Sequence, residues 1–222
     1  MRRPANGVKE GVETSSKWPV LLYIPNLIGY VRVALLVIAI FLAYSNWIGF
    51  VICYTSSQIL DAADGWAARK FGQETRFGAV LDQVTDRIST VVLYVLNCQI
   101  YPEYTTVFLL ILMTDMGGHW LHTFGAALAG SVSHKRIPGK VSLLKLYYEK
   151  RVVMLICIIG YEGCWMSLFL LSQIEKKHFL HVIAHFLVYF SLPIAIFKIY
   201  TNIHQGVHGA LVLAGLDDNR RR

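Results

Sequence analysis

Charge is what this chain has least of. Asp, Glu, Lys and Arg make up 16% of its 222 residues, against 55% hydrophobic residues and a mean hydropathy of +0.48. A soluble domain carries about 25% charged residues. One large soluble core is therefore excluded, and because the apolar residues come in long blocks, several membrane spans are expected. Alternation of apolar and polar residues is also missing, which favours helices over a membrane β-barrel. The cysteines Cys53, Cys98, Cys157 and Cys164 all fall in apolar blocks without CxxC spacing, so they read as small apolar residues. Among the eight histidines, His204 and His208 lie four apart and His178, His181 and His185 lie close together. No HExxH pattern and no cysteine at ligand spacing accompanies them, so packing or interface roles are expected rather than a zinc site. The sequence shows no repeat, low-complexity tract or long linker. Residues 1–19 lack the apolar centre of a cleavable signal peptide, which places targeting in the first span.

Lys and Arg are absent from the connections at 44–47 and 101–106. They gather instead at Arg2, Arg3, Lys9 and Lys17, at Arg69, Lys70 and Arg76, at Lys135, Arg136, Lys140, Lys145, Lys150 and Arg151, and at Arg220, Arg221 and Arg222. This alternation fits the positive-inside rule for an even number of spans with both termini cytosolic, although Lys176 and Lys177 fall on the other side. The formal charge of +7 follows span ends and forms no separate basic domain, so a nucleic-acid partner is not expected.

Six apolar blocks can be drawn, at roughly 25–44, 47–68, 77–100, 105–129, 152–171 and 179–203. Each has about the 20 residues needed to cross ~30 Å of hydrocarbon as a helix. The expected architecture is thus an all-α integral membrane protein, with six transmembrane helices in one bundle over residues 20–204. "KWPVLLYIPN" forms a short interfacial segment at its start, after a cytosolic segment 1–19, and a basic tail covers 205–222. Pro193 lies inside the sixth block, where neighbouring helices can accommodate it.

Against this background, "LDAADGWAARKFGQETRFGAVLDQVTDR", Leu60 to Arg87, places four aspartates next to or inside apolar stretches. Intramembrane carboxylates are costly and point to function. Asp61 and Asp64, three apart, share one helix face; Asp82 and Asp86, four apart, share a face of the next helix. The short polar connection makes the two helices antiparallel neighbours, so both pairs can meet at one depth. Four carboxylates together repel one another, and a divalent Mg²⁺ or Mn²⁺, which takes oxygen ligands and bridges carboxylates to phosphates, resolves that conflict. Gly65 and Gly78 allow close approach of a ligand or backbone, Ala68 keeps the same face open, and Arg69 can reach a phosphate.

The full arrangement, Asp61-x2-Asp64-Gly65-x2-Ala68-Arg69-x8-Gly78-x3-Asp82-x3-Asp86, resembles the signature of the CDP-alcohol phosphotransferases. That resemblance implies a six-helix membrane enzyme, open to the cytosol, that transfers a phosphoalcohol from a CDP-linked donor to an acceptor alcohol and releases CMP. "YIPNLIGYVRV", "TDRIST", "HWLH", "SHK" and "YYEKR" look like the eukaryotic, inositol-using branch of the family. The implied donor is CDP-diacylglycerol, whose acyl chains remain in the bilayer, the acceptor is myo-inositol, and the implied location is the endoplasmic reticulum. By the same resemblance Asp61, Asp64 and Asp82 hold two metal ions, Mg²⁺ or Mn²⁺. Asp86 completes the metal site and is the candidate general base.

The CDP-lipid is expected at Asn26, Arg32, Gly65, Ala68, Arg69 and Gly78, with an ion pair to a motif aspartate as the other reading of Arg32. Ser133, Lys135 and Arg151 are acceptor-binding candidates by resemblance, or else ordinary loop and lipid-headgroup contacts. His119 and His122, near a further aspartate, Asp115, could support the acceptor side. The resemblance also implies a homodimer. The small-residue runs Gly125–Ala129 and Ala126–Gly130 could pack helices within or between protomers. Two other functions stay open: a sister phosphotransferase using glycerol 3-phosphate, serine or inositol phosphate, and a transporter with a carboxylate relay.

Overall fold

The computed structural model describes residues 18–130 and 151–221, and the described residues contain helices and no strand. A single turn, α1 (Trp18–Leu21), precedes α2 (Ile24–Leu42), α3 (Trp47–Phe71) and α4 (Arg76–Ile100). After a 3₁₀ turn at Pro102–Tyr104 come α5 (Thr105–Leu128), α6 (Arg151–Gln173) and α7 (Phe179–Arg221). Among the described residues, three helices are long and apolar enough to cross a membrane by length and composition alone: Ile24–Leu42, Val152–Gln173 and Phe179–Asp218. A fourth candidate arises if α4 and the following 3₁₀–α5 segment, bent by 119° at their break, are counted as one span. The surface is inverted relative to a water-soluble protein. Phe41, Tyr189, Phe190 and Trp120 are exposed, while Asn26, Arg32, Ser57, Asn97, Asp115 and Asn202 are buried. Polar residues turned inward and hydrocarbon turned outward is the arrangement that a lipid solvent selects.

The chain divides into two compact units, Met1–Asp86 and Arg87–Arg222. In the N-terminal unit α2 packs along α3. Local chemistry sets the helix ends. Asn46 caps α3 by accepting a hydrogen bond from the Gly49 N–H at 3.0 Å. Gly72 closes α3 in the left-handed region at φ +62°, with its N–H on the Ala68 carbonyl, a conformation that only a residue without a Cβ adopts cheaply. The Thr75 hydroxyl accepts the Gly78 N–H at 3.0 Å and so starts α4. The turn between α3 and α4 is therefore four residues long, 72–75, which holds the two motif helices as close antiparallel neighbours.

In the C-terminal unit α7 packs against both α5 and α6. Residues 205–221 of the expected basic tail are helical. Helix α7 runs unbroken past Ile203 to Arg221, because Gly206 and Gly209 let it lie directly on Gly118 and the backbone at Leu121 of α5. Gly125 faces Gly209 within the same chain, so this small-residue run packs helices inside the protomer. A Cβ at Gly209 would overlap the Leu121 carbonyl. Gly209→Ala is expected to push α5 and α7 apart at a cost of about 1–3 kcal/mol, the usual range for overpacking, read as a lower melting temperature in detergent. An unchanged melting temperature would show that the contact is not tight.

A buried polar network sits in this unit. Asp115 accepts hydrogen bonds from Arg87 Nη1 at 2.9 Å, Asn202 Nδ2 at 2.7 Å and, more weakly, the Tyr94 hydroxyl at 3.4 Å. Lys198 Nζ donates to Asn202 Oδ1 at 2.9 Å, Thr90 Oγ1 donates to Glu162 at 2.5 Å, and the hydroxyls of Tyr94 and Tyr161 are hydrogen-bonded. Tyr94, Tyr161, Phe108 and Trp165 enclose it with edge-to-face rings.

Candidate active site at a four-aspartate cluster

The spacing that places each motif pair on one face is realised in the N-terminal unit. Asp61 and Asp64 project from α3, and Asp82 and Asp86 from α4, towards the side chain of Arg32 on α2. Nη1 of Arg32 lies 2.8 Å from Asp64 Oδ2 and 2.8 Å from Asp82 Oδ1. Nη2 lies 2.6 Å from Asp86 Oδ1 and 2.7 Å from Asp61 Oδ1. The contact with Asp61 is an ion pair without hydrogen-bond alignment, so Asp61 Oδ1 is buried with no hydrogen bond. One oxygen from each of Asp61, Asp64 and Asp82 falls within 4.8 Å of the others, a spacing at which one cation can be shared. Among the described residues no histidine or cysteine joins such a group. The all-oxygen donor set fits a hard divalent ion. Asp86 lies outside the three-residue group and reaches the cluster through Arg32.

Beside the aspartates is a cavity of about 190 Å³. Its walls include Asn26, Asp64, Gly65, Ala68, Arg69, Gly78 and Asp82. Five of the six residues expected to contact the CDP-lipid therefore share one cavity. The sixth, Arg32, does not line it and instead makes the ion pairs that were its other reading. Gly78 is small for a visible reason: a Cβ there would come within 2.9 Å of Asn26 Oδ1 and 3.1 Å of Thr75 Oγ1. Asn26 donates through Nδ2 to the Val20 carbonyl at 2.6 Å, while its buried Oδ1 has no hydrogen-bond partner. A Cβ on Gly65 would meet the Arg69 guanidinium at 3.4 Å, so the absent side chain leaves that cation room.

Sequence reasoning missed Gln73, Glu74 and Thr75, which also line the cavity. Gln73 Oε1 accepts the Ile24 N–H at 3.0 Å, satisfying an orphan donor at the start of α2 and tying it to the α3–α4 turn. The shortness of the turn between the two motif halves was the available signal, since every residue in it must lie near the site. Ser133 and Lys135 lie outside the described residues; Arg151 is the first residue of α6. Asp115 belongs to the buried network of the C-terminal unit, and the His122 ring lies 5.8 Å from that of His208.

Residues 22–213 match the family model for CDP-alcohol phosphatidyltransferase. A CDP-diacylglycerol–inositol 3-phosphatidyltransferase of Arabidopsis thaliana is 42% identical over 168 residues, covering 75% of this chain and 74% of its own. The protein of that name from Candida albicans is 39% identical over 216 residues, covering 94% and 91%. The one from Rattus norvegicus is 34% identical over 200 residues, covering 89% and 94%. No solved structure matches.

Proposed function

Because the chain belongs to the CDP-alcohol phosphatidyltransferase family, we propose that it joins CDP-diacylglycerol and myo-inositol to give phosphatidylinositol and CMP. The observation that carries this reading is the convergence of Asp61, Asp64 and Asp82 within 4.8 Å at the wall of a cavity lined by Gly65, Ala68, Arg69 and Gly78. The acceptor follows the relatives, whose names specify inositol at 34–42% identity.

In the reaction an inositol hydroxyl attacks the phosphorus that bears the diacylglycerol. A new P–O bond forms, the diphosphate bridge breaks, and CMP leaves. Asp61, Asp64 and Asp82, with Asp86 completing the site, would hold two Mg²⁺ or Mn²⁺ ions, which supply charge neutralisation for the diphosphate and the departing CMP. Arg69 faces the cavity, where it can pair with a phosphate oxygen. Gly65 and Gly78 keep the walls low enough for the nucleotide to approach the backbone, and Asn26 Oδ1 offers an unused acceptor. Asp86 takes the proton of the attacking hydroxyl. Ser133, Lys135 and Arg151 are the proposed acceptor contacts. Inositol is uncharged, so its binding rests on hydroxyl hydrogen bonds more than on ion pairs.

We place the six long helices of the described residues in the bilayer. At ~1.5 Å per residue the 25 residues of α3 and of α4 are each long enough. These two fall short on apolarity because they carry the four aspartates and Arg69, Lys70 and Arg87. The cytosolic placement of the site and of both termini rests on the Lys and Arg pattern. A homodimer in the endoplasmic reticulum completes the reading.

The test is CMP release by purified protein from CDP-diacylglycerol, with Mg²⁺ or Mn²⁺, with and without myo-inositol. Metal-dependent release that requires inositol supports the proposal. Release with glycerol 3-phosphate, serine or inositol phosphate, and none with inositol, would keep the family and replace the acceptor. Absence of release with every acceptor, in folded protein with metal, would favour the carboxylate-relay transporter.

A further inference from the structure

The position of Arg32 assigns it a task that the motif does not contain. Its side chain is 1% exposed, whereas those of Asp61, Asp82 and Asp86 are 40%, 43% and 32% exposed. The guanidinium therefore lies at the floor of the cluster, and the carboxylates lie between it and the open side. Each aspartate turns one oxygen to it, at 2.6–2.8 Å. A carboxylate has two oxygens and about four lone-pair sites, so one held in this way still has an oxygen to offer a cation. Four carboxylates against one guanidinium also leave the cluster formally negative, which suits a cation and not a second arginine.

The backbone beneath is fixed as well. The Ser57 hydroxyl, fully buried, donates to the Arg32 carbonyl at 3.1 Å. Ser57, Asp61 and Asp64 follow one another at helical spacing on one face of α3, so the same face supplies both the anchor for Arg32 and two of its carboxylates. Lysine could not do the same work, because a guanidinium offers a rigid planar fork and an ammonium offers a point charge.

We propose that Arg32 is a positioning residue for the metal ligands. Its forked guanidinium, on a backbone whose carbonyl accepts the Ser57 hydroxyl, turns one oxygen of each of Asp61, Asp64, Asp82 and Asp86 inward and so presents the other to a divalent cation. The inference rests on the metal-dependent reading above. It replaces the expectation that Arg32 contacts the nucleotide, which its place outside the cavity wall does not favour.

The experiment is Mn²⁺ titration of the full-length protein in detergent without substrate, with free Mn²⁺ read by electron paramagnetic resonance. Arg32→Lys keeps the charge and removes the fork. It is expected to weaken Mn²⁺ binding by about 10–100-fold, the range found when the groups that orient metal ligands are altered. Ser57→Ala, which leaves every charge in place, is expected to weaken binding in the same direction but less. Wild-type affinity in folded Arg32→Lys overturns the inference, and a raised KM for CDP-diacylglycerol beside that unchanged affinity would return Arg32 to the nucleotide. If Arg32→Lys does not fold, Ser57→Ala decides, and unchanged Mn²⁺ affinity in it overturns the inference. Wild-type protein that binds no Mn²⁺ would overturn the metal reading itself, and this inference with it.

Discussion

Asp86→Asn is expected to lower inositol-dependent CMP release by about 10²–10⁴-fold, the usual worth of a positioned general base. Asparagine keeps an oxygen where Asp86 Oδ1 meets Arg32 at 2.6 Å, so the local shape survives while the proton acceptor is lost. Placement in the cluster supports giving this role to Asp86 and not to its neighbours. Asp61, Asp64 and Asp82 are the three whose oxygens come within 4.8 Å of one another, and Asp86 stands outside that group. The measurement is initial rate at saturating metal, with Mn²⁺ affinity determined alongside. A large fall in rate that persists at saturating metal is the expected result, with any loss of Mn²⁺ affinity reporting the ligand role beside it. A fall in rate that extra metal fully restores would make Asp86 a ligand alone and leave the base unidentified. Full activity would remove Asp86 from the chemistry.

The second large effect is one of stability, in the C-terminal unit. Asp115 is fully buried and faces Arg87 at 2.9 Å and Asn202 at 2.7 Å. Asp115→Ala takes away the carboxylate that both side chains address and leaves a cationic group in a low-dielectric interior. Breaking a buried pair from one side costs about 3–5 kcal/mol. The expected outcome is a large drop in melting temperature in detergent, or loss of monodisperse protein. Asp115→Asn, which preserves shape and a hydrogen bond but not charge, should fall between the variant and the wild type. If Asp115→Ala melts with the wild type, the network contributes nothing net. If it melts normally but loses inositol-dependent turnover, Asp115 acts on the acceptor, as the nearby "HWLH" suggested.

The two variants also separate two kinds of buried charge. The aspartate cluster is left formally negative and partly exposed, which suits a site that must receive a cation and a diphosphate. The Asp115 network is closed by aromatic rings and answered by Arg87, Lys198 and Asn202, which suits a fixed internal brace. Charge balance, more than burial, distinguishes them.

Much of this was determined by the sequence alone. Continuous apolar blocks announced an all-helical chain, and among the described residues most helix ends fall within a few residues of a block boundary, because hydrocarbon length and helical rise fix how many residues a block needs. The aspartate spacing announced shared faces, because 3.6 residues per turn makes i+3 and i+4 neighbours whatever surrounds them. Where the sequence misled, a local signal met a distant partner. The change in composition after Ile203 looked like the end of a span, but α7 continues because its glycines find α5. Arg32 had two readings in the sequence, a nucleotide contact or an ion pair to a motif aspartate, and only the packing of α2 along α3 brought its guanidinium to all four carboxylates. Gln73 gave no sign that its side chain would cap α2, forty-nine positions earlier in the chain. Period and composition are properties of neighbours along the chain and can be read there. Which oxygen a guanidinium reaches across three helices depends on their relative register, and that is decided only when they pack.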